Sequence, residues 1–181
     1  MIRRAAAAGL AVVLAAPPLA QWFSTTMERH QLLQVPALVL LGVAAGHGSR
    51  GRPPRPGADW DTALVVLAVG AMMFWMLPRS IDFAASDAVG DQLMHLSWFL
   101  AAAALAHALP RIPFAVAMAL GIHGVAMLAA VGLVYRYYPG LLCTAYNLQQ
   151  QRATGRIMVS LAPMLGVGLW GWAGWRAERR T

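Results

Sequence analysis

Six mostly apolar stretches follow one another along the chain, separated by polar or proline-containing breaks. They run from about Ala5 to Ala20, Met27 to Gly46, Thr62 to Leu77, Ala88 to Leu109, Pro113 to Val134 and Thr154 to Trp175. A helix crossing the hydrocarbon of a bilayer needs roughly 20 such residues, within a tolerated range of about 17–25. The first and third stretches sit at the short end. Lipid offers backbone groups no partner outside their own segment, so all six are expected to be helical. Composition agrees: 59% of the 181 residues are apolar and only 12% charged, against roughly 25% charged in soluble domains. A soluble domain of this size could not hide so much apolar surface, and disordered chains are polar. The expected fold class is an all-α, polytopic transmembrane helical bundle of about six helices. It forms a single integral membrane domain over residues 1–181, without internal repeats.

The net charge is +7, from 14 basic and 7 acidic residues, and every basic residue is Arg. No polar basic face of the kind nucleic acid needs is present, so the lipid bilayer is the expected partner and nucleic acid is not. With a cytoplasmic N-terminus, nine Arg (Arg3, Arg4, Arg50, Arg52, Arg55, Arg111, Arg176, Arg179, Arg180) fall inside and five (Arg29, Arg79, Arg136, Arg152, Arg156) outside. This is the direction of the positive-inside rule. The expected location is a bacterial inner membrane, with both termini cytoplasmic if the first helix is retained. Arg3-Arg4, the alanine-rich stretch and Pro18-Leu19-Ala20 also resemble a cleavable signal peptide, which would leave five helices. Pro17-Pro18 interrupts the end of that stretch, and the retained helix is the reading taken. Residues 47–61 read as a basic cytoplasmic loop, with Asp59 or Asp61 able to cap the third helix, and residues 135–151 as an outer loop. Cys143 is the single cysteine, which excludes an intrachain disulfide and a CxxC metal site.

Polar and soft side chains inside membrane segments mark candidate sites, because burying them costs energy. Met27 and His30 stand at the outer start of the second stretch, three residues apart and on one face. Met72, Met73 and Met76 end the third stretch on the same side. Asp91, Met94 and His95 begin the fourth, with Asp91 spaced to orient the His95 imidazole. Met158 lies one turn into the sixth. Thioether and imidazole together suit Cu(I), a soft ion. Methionine is also an ordinary apolar filler. Gly42-x-x-x-Gly46 allows close helix packing, and His123 could hydrogen-bond a neighbouring helix. His30 with His47, and His95 with His107, differ by roughly 100–120° in facing at ~100° per residue. Two stacked haems are therefore disfavoured; one haem between His30 and His95 stays open.

Four segments carry a family likeness. Thr26-Met27-Glu28-Arg29-His30-Gln31-Leu32-Leu33 continues into Val35-Pro36-Ala37-Leu38. Phe74-Trp75-Met76-Leu77-Pro78 is followed by Ile81-Asp82-Phe83-Ala84-Ala85. Asp91-Gln92-Leu93-Met94-His95-Leu96-Ser97-Trp98-Phe99 opens the fourth stretch, and Gln150-Gln151-Arg152-Ala153-Thr154-Gly155-Arg156-Ile157-Met158 the sixth. In this order, over Thr26 to Met158, they resemble the CtaG-type cytochrome c oxidase assembly factors, of which this chain would be a short, divergent member. His30 and His95 match histidines of the family pattern. Thr26, Met76 and Asp91 stand where that pattern has His, and Gln150 where it has Asp. The resemblance implies copper insertion into haem–copper oxidases. The expectation is a non-enzymatic assembly protein holding Cu(I) with His30, His95, Met27, Met76 and Met94, with Asp91 and Met158 in support. It would pass the ion to an oxidase subunit or to a soluble copper carrier. A metal-free structural or accessory subunit of a membrane complex is the second expectation. A b-type cytochrome or quinone-site protein is the third.

Overall fold

The computed structural model describes residues 2–47 and 60–178. All regular structure among them is helical. Asp59 and the Arg cluster of the 47–61 segment lie outside the described residues. Helix α1 covers Ile2–Ala15 and α2 Leu19–Ser24, parted at Pro17–Pro18. Helix α3, Met27–Arg29, runs through a π-helical turn, His30–Gln34, into α4, Val35–Gly46. Helices α5 (Trp60–Trp75), α6 (Pro78–Ser86) and α7 (Ala88–Ala108) follow. Helices α8 (Phe114–Tyr137) and α9 (Leu148–Glu178) complete the order.

Helices α8 and α9 are each long and apolar enough to cross a membrane, and α5 with α6 passes the same test as one span bent by 76°. The first and third stretches give helices of only 14 and 16 residues. The third stretch does end ahead of Pro78, with α5 stopping at Trp75, and the same Pro78 then opens α6 at the first helical position, where its missing N–H costs nothing. Helix α5 begins at Trp60, so Asp61 lies inside the first turn rather than ahead of it. There it stands 3.6 Å from Arg111 in the α7–α8 connection. Helix α8 extends to Tyr137 and α9 starts at Leu148, which shortens the 135–151 connection to 138–147.

Caps explain several boundaries. Thr26 accepts from the Arg29 N–H at 3.3 Å, Asp87 from Gly90 at 2.6 Å, and Asn147 from Gln150 at 2.9 Å. Two helix pairs depend on glycine. A Cβ on Gly42 or Gly46 would strike the Phe99 or Ala103 carbonyl oxygen, so α4 lies directly against α7. Gly132 and Gly155 do the same for α8 and α9. His123, offered as a hydrogen-bonding residue, is instead exposed on α8. The inward contact of this turn is made by Gly121, against Leu169 of α9, and leaves His123 on the outer face.

Candidate metal centre

The centre lies where the π turn, α7 and the α8–α9 connection converge. The π turn has a local cause. Pro36 has no N–H to return to the preceding turn, and the ladder is carried across it by Val35 N–H donating to the His30 carbonyl, five residues back. One extra residue is accommodated, and His30 and Gln34 both turn inward, 3% and 0% exposed.

The Gln34 amide then fixes the imidazole. Its Nε2 donates to the Leu14 carbonyl of α1 at 3.1 Å, so its Oε1 must be the atom 2.9 Å from His30 Nδ1. A carbonyl oxygen only accepts, which places the His30 proton on Nδ1 and leaves Nε2 with a free lone pair. The Leu14 carbonyl belongs to the last turn of α1, whose orphan acceptors need such partners. Gln92 of α7 serves the next one, donating to Ala15 O at 2.8 Å.

The His95 ring centre is 6.1 Å from that of His30, with the planes at 64°. His95 is 2% exposed, and neither ring nitrogen has a hydrogen-bond partner. Asp91 Oδ2 stands 3.5 Å from its Nδ1, near enough to orient the ring but too far for a good hydrogen bond. Buried polar atoms without partners are uncommon and costly. Tyr146 also stacks on His30, ring centres 6.5 Å apart at 28°.

The thioethers divide. Met27 and Met158 are buried in one cluster with Ile81, Tyr135, Cys143 and Tyr146. Met94 is buried in a second, with Val35, Leu38, Trp75 and Trp98, and Met76 packs on its margin. The structure therefore brings His30, His95 and Asp91 together and packs the candidate methionines into two separate clusters. Among the described residues no group of three or more His, Cys, Asp or Glu is placed to hold a metal ion. A site here would rest on two imidazoles and sulfur.

The ring spacing can be tested against a shared ion. With metal–nitrogen bonds of ~2.0–2.1 Å, two imidazoles on one ion have ring centres roughly 5–6.5 Å apart. The observed 6.1 Å falls toward the wide end, an open angle that a filled-shell ion such as Cu(I) tolerates.

Residues 138–147 are tied down over this region. Asp82 Oδ1 accepts from the Cys143 thiol at 2.8 Å and from the Thr144 N–H at 2.7 Å. Gln151, 1% exposed, accepts from Leu142 N–H at 2.9 Å and donates to the Gly140 carbonyl at 3.2 Å. Burial, then the hydrogen bond to Asp82, pushes the Cys143 thiol up to about 12. Burial also raises the Tyr146 phenol above its ordinary value.

Sequence reasoning missed Gln34, Tyr146 and the Asp82 tether. For Gln34 a signal existed: an amide four residues after a histidine, inside an apolar run. Comparison with protein-family models, with curated proteins and with solved structures gives no match.

Proposed function

We propose that this protein is a multi-pass membrane copper carrier, its six apolar stretches forming one bundle in a bacterial inner membrane. In this reading Cu(I) is held between His30 and His95, with Met27, Met76 and Met94 as the neighbouring thioethers. Asp91 orients His95, and Met158 backs Met27. The ion would be cargo, passed toward a haem–copper oxidase or related cuproenzyme; no bond-making chemistry is assigned to the chain.

One observation carries the reading: two buried imidazoles from separate helical segments stand with ring centres 6.1 Å apart, one with its tautomer fixed by Gln34 and the other without any hydrogen-bond partner. A site that leaves an imidazole bare yet buried supports an absent ligand. The decisive measurement is copper per chain after purification under reducing conditions, wild type against His30→Ala/His95→Ala. The expected result is stoichiometric copper in the wild type and loss in the double variant. Equal, near-zero loading in both rejects the proposal.

A metal-free accessory subunit is the second reading, favoured by the division of the methionines between two packed clusters. It requires co-purification with a larger membrane complex that survives loss of both histidines.

A further inference from the structure

Helix α9 packs on α3 near the His30 end of the molecule. Toward the other end, where α4, α7 and α9 all terminate, the helices part. A groove of about 730 Å³ lies between them, with Val43 and Leu105 on one wall and Trp172 and Trp175 on the other. Its polar lining includes His47, at the α4 terminus, and Arg176, in the last turn of α9. The Arg176 guanidinium lies over the Trp172 ring at 5.1 Å and the Phe114 ring at 5.9 Å.

We propose that this groove holds an anionic phospholipid, with acyl chain between the walls and phosphate on Arg176. The volume is that of a small-molecule site, and a bilayer does not leave an apolar gap of that size empty. The wall chemistry asks for hydrocarbon. Tryptophans sit at the depth of the lipid headgroups. The charge at the end of the groove is positive, and Arg recognises phosphate through a fork of donors. Ring contacts hold that fork in place before any lipid arrives, which lowers the ordering cost of binding. Basic pockets between membrane helices take phosphate headgroups in this way. The inference is independent of any metal at His30 and His95.

The test reconstitutes the full chain into vesicles of equal phosphatidylglycerol and phosphatidylcholine, extracts it in mild detergent and quantifies the lipid retained. Wild type is expected to keep phosphatidylglycerol severalfold over phosphatidylcholine. Arg176→Gln should bring the two near parity, and Arg176→Lys should keep most of the preference. Leu105→Trp, which fills the groove, should lower retention of both lipids. A wild type without preference, or an Arg176→Gln chain that keeps it, overturns the proposal. Should Arg176→Gln fail to fold, unchanged retention in Leu105→Trp overturns it instead.

Discussion

Gln34 and His30 are bonded at 2.9 Å across a single π turn, and the same Gln34 amide reaches the end of α1 at Leu14. One side chain thus sets the proton on an imidazole and ties two helices. Gln34→Leu removes both bonds and leaves two buried groups bare. Each such group costs ~1–3 kcal/mol, so the thermal midpoint in detergent should fall by several degrees. Copper affinity should drop by roughly 10–100-fold, the usual effect of losing a ligand-orienting partner. Isothermal titration with Cu(I) under reducing conditions measures the second effect.

His95 gives the opposite sign. Its ring nitrogens have no partners to lose, so His95→Leu removes a buried polar group in exchange for a shape-similar apolar one. In the absence of metal this variant should melt at or above the wild-type temperature. Added Cu(I) should then raise the melting temperature of wild type alone, by the mass-action stabilisation a ligand gives the state it binds. A variant that melts lower without metal and still responds to copper contradicts the account.

The α8–α9 crossing rests on two glycines facing each other. A side chain at Gly155 would meet the backbone of Gly132 and Arg136, and backbone cannot step aside. Gly155→Leu should therefore cost at least ~1–3 kcal/mol and give poor yield of folded protein. Gly124 has open space around its missing side chain, so Gly124→Ala should stay within ~0.5 kcal/mol of wild type. Detergent melts of the pair read the contrast.

Cys143 should be slow to react. Its thiol is buried, donates to Asp82 and stays protonated up to about 12, so maleimide labelling at neutral pH should be far slower than for a free thiol. Asp82→Ala removes two bonds of ~0.5–1.5 kcal/mol each, equivalent to a rise in labelling of roughly 5–150-fold. The sign with pH follows from a raised thiol. Its contribution to stability is complete below the ordinary value of 9.0 and is lost as pH climbs toward about 12.

Several features were legible because cost shows in sequence. A histidine in an apolar run is expensive, so His30 and His95 stand out, and their ring centres are indeed 6.1 Å apart. The C-terminal end of α4 and both ends of α7 were readable to within a residue, since glycine, proline and polar breaks bound them. Helix α6 escaped because Pro78, which follows the end of α5, also stands at the first position of a new helix. The first turn of α9 escaped because Gln149, Gln150 and Gln151 look like a loop, although Asn147 ahead of them is a good cap. Two relationships had no local signal. The π turn changes the register of the residues before Pro36, and Tyr146 reaches His30 from more than a hundred residues away through chain closure alone. The division of the methionines between two clusters had no local signal either: their flexible side chains pack wherever space allows, so spacing alone does not assign them to one cluster.

The stacking of Tyr146 on His30 sets a kinetic condition. Anything approaching that imidazole from the side of the 138–147 connection must first lift the phenol ring, and the same short stretch is anchored twice, at the Asp82 carboxylate and at the Gln151 amide. On that side, the dwell time of a bound species would follow how often the doubly anchored stretch opens as well as how tightly the donor atoms grip.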